Sequence, residues 1–440
     1  MKILKNITVF TLVMLLSVST ILEAREKSVS NFSSSTSNYV DSVGTFDGNK
    51  IYADVANNGL FLDYHVSGDS ALEWPKGTGV HSIFQSALWM GATVNGSIRT
   101  IVGDYTQDMG PGPWGGDPLA AVHRIYKVEK SMLASPLDFA DFQEWPVDFG
   151  APWVDVDGDG VYTPLPGGTD HPEFLGDQVL WFVSNDGDPA YKLNFGTSPL
   201  NVEIQTTMFG FDRPDVFGDM VFLKQLVINY GSDDLVDTYM GLWSDPDLGY
   251  AGDDFVGCDV ALGMGYVWND GDDSQYSTLD VGTPAAGYDF FQGPMVPCED
   301  GDSEEVCPTE GAKMFGTRHP GMKNLKMSSF AFYINGDATY TDPSDETEGY
   351  FYLQGLRKDG SAYPNEIAGD LYDQRFCFYG DPNDSAGHST ANPVDGNYAA
   401  SADRRFLMSV GPFTMAAGDS QEVVFGICLL YTSPSPRDRG

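Results

Sequence analysis

The 440-residue chain predicts an all-β protein: antiparallel β-sandwich-type domains with long Asp/Gly-rich loops and little helix. Three observations carry that expectation. Short runs rich in Val, Ile, Phe, Tyr and Trp recur along the chain, the composition that suits a pleated, half-buried surface. The 50 glycines and 26 prolines fall largely between those runs, where turns use them. Helical patterns do not alternate with the runs, so a doubly wound parallel sheet is disfavoured.

Taken in order, residues 1–24 read as an export signal. Lys2 and Lys5 precede an apolar stretch from Val9 to Leu16, and small residues lead to Ala24. The stretch is too short to span a bilayer, and no later segment is long and apolar enough to do so as a helix. With no cysteine near the cut, a lipid anchor is not expected. Residues 25–45, rich in Ser and Asn, read as a flexible linker.

Residues 46–150 form an aromatic-rich N-terminal β-region. Within it, strands at 87–94 and 97–102 flank Asn95-Gly96, the dipeptide that supplies both positive-φ residues of a type I′ hairpin. One helix start is expected at Ser135-Pro136-Leu137-Asp138, a capping-box pattern with Pro at the first position, ending at Trp145-Pro146. Residues 151–177 are an acidic loop junction. A larger sandwich follows over 178–427, with strands expected at 178–183, 202–211, 220–230, 328–334, 350–356, 405–410 and 422–427. The pair 202–211 and 220–230 reads as one long antiparallel hairpin.

The net charge of -39 opposes binding to nucleic acid or anionic lipid and favours divalent cations. Disorder, the other meaning of such acidity, is excluded by 42% hydrophobic and 13% aromatic residues. The acidity becomes specific at Asp155-Val156-Asp157-Gly158-Asp159-Gly160. Carboxylates at alternate positions, with glycine for the sharp turn, can wrap one hard cation, and calcium is the ion expected. Counted as an EF-hand loop, Asp155, Asp157 and Asp159 take the first, third and fifth places and the carbonyl of Val161 the seventh. The twelfth place holds Pro166 where a bidentate Glu belongs, so this is not a full EF-hand. Asp170, Glu173 or Asp177 must supply the missing oxygen, or water must. An ion-free Asp/Gly turn is the competing reading.

A second metal site is expected from Asp245, Asp247, Asp253 and Asp254, which follow a strand-like run ending at Trp243. The same carboxylates also suit a polysaccharide-active enzyme or carbohydrate-binding module around 243–259, with Trp243 and Tyr250 stacking on sugar. A solvated loop is equally compatible. Cys298 and Cys307 bracket a short acidic loop and are expected to form a local disulfide in an exported chain; Cys258 and Cys377 are open to a second pairing.

Familiar enzyme signatures fail. Residues 110–115 fit G-x-G-x-x-G, but Pro111 and Pro113 remove the amides that would hold a phosphate. The six histidines form no H-E-x-x-H pair, and Ser70 and Ser420 lack a nucleophile-elbow setting. An enzyme is therefore not the favoured expectation.

Two resemblances remain. Cys428 to Asp438 resembles the in-frame translation of a transposase adapter used in sequencing libraries, which implies that natural sequence stops near Ile427 and that 428–440 is an artefact. A genuine Ser/Pro-rich tail is the alternative. Several phrases across residues 50–427 resemble large exported proteins of Bacteroidetes-type bacteria. They are Ala56-Asn57-Asn58-Gly59, Asp155 to Tyr162 with Gly176-Asp177-Gln178, Trp243 to Gly249 with Asp253-Asp254, Arg404-Arg405-Phe406, Gly411 to Thr414 and Gly418 to Gln421. Such proteins usually end in a type IX secretion sorting domain and have no assigned activity. The resemblance implies an extracellular or outer-surface location, a polysaccharide or surface-protein partner, and engagement of export machinery through a C-terminal domain beyond Ile427.

Overall fold

The computed structural model describes residues 43–165, 170–269, 271–279, 282–380 and 400–431. The expected signal peptide, most of the expected linker, Pro166 and residues 432–440 of the adapter-like segment lie outside them. The fold is all-β, with two large antiparallel sheets packed face to face.

The nine-stranded sheet runs in the order Asp254–Asp259, Met264–Asn269, Pro284–Gln292, Ser420–Tyr431, Met220–Asn229, Val202–Gly210 and Gln178–Asn185. Two short strands, Gly110–Pro111 and Tyr126–Glu129, share its last edge. The six-stranded sheet runs Ser329–Ile334, Arg404–Met415, Leu235–Asp245 and Gln85–Val94. Leu60–Leu62 and Ser97–Ile101 both pair with that last strand. The expected hairpin at Asn95-Gly96 is present: Val94 pairs with Ser97, and φ is 51° at Asn95 and 81° at Gly96. The long hairpin is also as expected, Val202–Gly210 pairing with Met220–Asn229.

Alternation within each strand decides which layer each side chain enters. Leu88, Met90 and Val410 of one sheet meet Ile204, Val227 and Val423 of the other. Phe61 reaches across to Phe425 at 5.5 Å between ring centres. The opposite face of the six-stranded sheet carries Trp89 stacked on Trp243. It is covered by the helix Glu346–Leu353, which approaches closely because two strand positions are glycine. A Cβ at Gly91 would lie 2.6 Å from Tyr350 Cδ2, and one at Gly241 would lie 2.8 Å from Leu353 Cδ2. On the nine-stranded sheet, Val179, Trp181 and Val183 face outward and are roofed by Phe142 and Trp145.

Three expectations change. The segment 350–356 is not a strand: its Tyr-Phe-Tyr-Leu run belongs to the helix Glu346–Leu353. Asp345 Oδ accepts the Glu348 N–H at 2.9 Å, and Glu348 in turn accepts the Ser344 N–H at 2.7 Å. That capping outweighs a composition suited to strand. The helix expected at Ser135 is only a 3₁₀ turn, Pro136–Asp138, and a four-residue helix, Ala140–Gln143, with no side-chain cap from Ser135. Finally, the boundary between 46–150 and 178–427 runs through one core. Gln85–Val94 pairs with Leu235–Asp245, and Tyr126–Glu129 pairs with Gln178–Asn185. Pairing between distant strands leaves no mark in local composition.

Candidate metal centres

The acidic loop at 155–170 is a hairpin excursion rather than a joint between domains. Its base is closed by a two-residue ladder, Trp153 with Pro172 and Val154 with His171, and by the Glu173 N–H donating to the Pro152 carbonyl at 2.9 Å. Tyr162 fastens it to the roof below: its ring meets Trp153 edge-on at 5.6 Å, and its hydroxyl donates to the Phe142 carbonyl at 2.6 Å.

The fold brings Asp155, Asp157, Asp159 and Asp170 together, each with an oxygen within 4.8 Å of the others. Positive φ at Gly158 and Gly160, 78° and 76°, turns the backbone so that amides point at the carboxylates. Asp155 accepts the N–H groups of Gly158 and Gly160 at 2.6 and 2.9 Å. Asp157 accepts from Asp159, and Asp159 from Val161. Asp170 differs from the other three in being 1% exposed. Its two oxygens accept the Val156 N–H at 2.9 Å and the Thr163 N–H at 2.7 Å, tying the outward and return limbs together. The Asp159 amide pulls the Asp157 carboxyl down, yet desolvation and the surrounding carboxylates of Asp159, Asp170 and Asp155 leave it above its ordinary value. Four convergent carboxylates are a charge arrangement that a hard divalent cation neutralises.

Of the remaining residues expected here, Val161 is on the loop and 61% exposed. Asp177 is elsewhere. Its Oδ2 accepts the Asp212 N–H at 3.0 Å, and it lines a polar cleft of about 490 Å³ with Asp47, Lys76, Glu129, Lys130 and Asp212. The reason is geometric: by residue 177 the chain has turned away into the strand Gln178–Asn185.

The second cluster also differs in membership. Asp245 and Asp247 converge with Asp403, not with Asp253 and Asp254. The ladder register explains the addition. Ser244 pairs with Phe406, so running the register on sets Asp245 beside Arg405 and Asp247 beside Asp403. Asp253 and Asp254 instead share the Asn269 side-chain amide, and Asp254 Oδ2 accepts the Leu248 N–H at 3.2 Å. Burial, against the pull of the Leu248 amide and with the Asp247 carboxylate adding to it, raises the Asp254 carboxyl well above its ordinary value.

At the centre, Asp245 is 1% exposed. Its Oδ2 accepts from the Tyr105 hydroxyl at 2.7 Å and from Arg405 Nη2 at 3.0 Å. Arg405 also donates through Nη1 to Asp403 Oδ1 and through Nε to the Tyr105 hydroxyl, both at 2.5 Å. Asp245 Oδ1 is buried with no hydrogen-bond partner. Burial pushes the Asp245 carboxyl up to about 7 even though Arg405 pulls it down. Asp247 is raised well above its ordinary value by burial and then by the Asp245 and Asp403 carboxylates. Asp342, also holding an unpartnered buried Oδ1, adds to the negative field on Asp245.

Trp243 is fully buried, its indole N–H donating to the Tyr333 hydroxyl at 2.7 Å, so it cannot stack on a sugar. Tyr250 is half-exposed. Cys298 and Cys307 form the expected disulfide, with Cα atoms 5.8 Å apart. Cys258 and Cys377 are free, buried thiols, Cys258 Sγ lying 3.6 Å from the Cys377 carbonyl oxygen. Compared with known proteins, the chain matches no family model and no curated protein.

Proposed function

We propose that this chain is an exported, calcium-stabilised β-sandwich protein with a structural or binding role at the cell surface or in the medium. The observation that carries the reading is the convergence of Asp155, Asp157 and Asp159 on the buried Asp170. Calcium there would hold the hairpin over the Phe142–Trp145 roof, where a two-residue ladder and one further backbone hydrogen bond close the base. Export is supported by the basic-then-apolar N-terminus, and extracellular calcium concentrations suit weak, loop-built sites of this kind. The polysaccharide-active alternative loses its principal stacking residue with the burial of Trp243.

The test is thermal melting of the full chain after exhaustive chelation, with calcium then added back. The midpoint should rise with calcium, because an ion bound only by the folded state stabilises it by mass action. In Asp157→Ala most of that rise attributable to the hairpin should vanish. A midpoint independent of calcium in the unsubstituted chain refutes the proposal.

A further inference from the structure

We propose that Asp245, Asp247 and Asp403 form a second, separate binding site for a hard divalent cation of the calcium class, at the end of the six-stranded sheet. The three carboxylates each offer an oxygen within 4.8 Å of the others. The independent observation is Asp245 Oδ1, an unpartnered oxygen on a side chain only 1% exposed, belonging to a residue that converges with two further carboxylates. An unpaired buried carboxylate oxygen is among the costliest groups a fold can retain.

Arg405 does not relieve it. The guanidinium is already committed to Asp245 Oδ2, Asp403 Oδ1 and the Tyr105 hydroxyl. Asn335 takes the other Asp403 oxygen at 2.8 Å. Among the described residues, no side chain or amide donates to the Asp247 carboxylate. One cation bridging Asp245 Oδ1, Asp247 and Asp403 would satisfy the orphan oxygen and balance the remaining charge. An all-oxygen, carboxylate-rich set selects calcium or magnesium over softer metals, and the irregular placement suits calcium better than octahedral magnesium. The site would tie the end of Leu235–Asp245 to the start of Arg404–Met415.

Protons shared among the carboxylates are the alternative, and ion counting separates the two. The chelated full chain is reloaded with calcium, and bound ions are counted by native mass spectrometry and by calorimetric titration. Wild type should bind two ions, Asp157→Ala one, Asp247→Asn one, and the double variant none. Because Asp157 lies on an exposed loop, Asp157→Ala tests this site without altering it: no ion retained in that variant overturns the proposal. A count unchanged by Asp247→Asn also overturns it, as does an Asp247→Asn midpoint at or above wild type in saturating calcium, since Asn mimics a protonated acid. If instead wild type and Asp157→Ala each bind one ion, the hairpin reading fails while this one stands.

Discussion

Replacing Asp170 with Ala tests the hairpin most directly, because one carboxylate holds both limbs and completes the ligand set. The substitution deletes two hydrogen bonds to a charged acceptor, from the amides of Val156 and Thr163. Such bonds contribute ~1.5–3 kcal/mol each. Val156 is half-exposed, so its freed amide finds water and the lower end applies, about 3 kcal/mol for the pair. The hairpin is closed by two residue pairs and one further backbone hydrogen bond, so this loss should appear mainly as local opening. Hydrogen exchange at the Val156 and Thr163 amides, measured in chelator, should then accelerate roughly 150-fold. Calcium at about a hundred times its dissociation constant should slow exchange by roughly 100-fold in wild type and leave the variant unchanged. An equal calcium effect in both proteins would show that the ion binds elsewhere, and unchanged exchange in chelator would show that Asp170 does not hold the limbs.

Two further outcomes follow from buried groups. Burial raises the Asp104 carboxyl to about 7, although Asn194 pulls it down, while the unfolded chain titrates near 4. The folded state thus keeps a proton that the unfolded state releases, so the contribution of Asp104 to stability is fullest below pH 4 and falls as pH rises towards 7. Asp104→Asn should remove up to about 4 kcal/mol of that fall, read as the difference between wild-type and variant urea midpoints across pH 4–8, and parallel profiles would refute it. At Gly241, an added Cβ would sit 2.7 Å from Leu407 Cδ1 and 2.8 Å from both Leu353 Cδ2 and Ser409 Oγ. Gly241→Ala should therefore cost about 1–3 kcal/mol by equilibrium denaturation, and a neutral result would mean that the helix Glu346–Leu353 can withdraw without loss.

Local chemistry was legible in the sequence and distant adjacency was not. The Asn95-Gly96 turn, the long hairpin, the Asp155–Asp159 spacing and the Cys298–Cys307 bridge all depend on residues within a few positions of one another. Asp170 could be named because it lies on the same excursion. Asp403 could not, since only the register of Leu235–Asp245 against Arg404–Met415 brings it to Asp247. Asp253 and Asp254 show the converse: their adjacent numbers suggest one site, but the turn before Asp254–Asp259 directs them to Asn269. Trp243 read as a surface aromatic because a strand rich in apolar residues does not reveal that both of its faces are covered. For the helix at 346–353, the caps at Ser344 and Asp345 were available as signals, and the run of aromatic residues obscured them.

The placement of Ser420–Tyr431 has a consequence for the order of events during synthesis. This last described strand occupies an interior position, between Met220–Asn229 and Pro284–Gln292, with Val423, Phe425 and Ile427 fully buried. Until it emerges from the ribosome, the two parts of the nine-stranded sheet have no ladder joining them, and the six-stranded sheet likewise waits for Arg404–Met415. Contacts so far apart along the chain form slowly and late. Both sheets should therefore complete their ladders only after these two strands have been synthesised, so the residues before them wait without their interior partners.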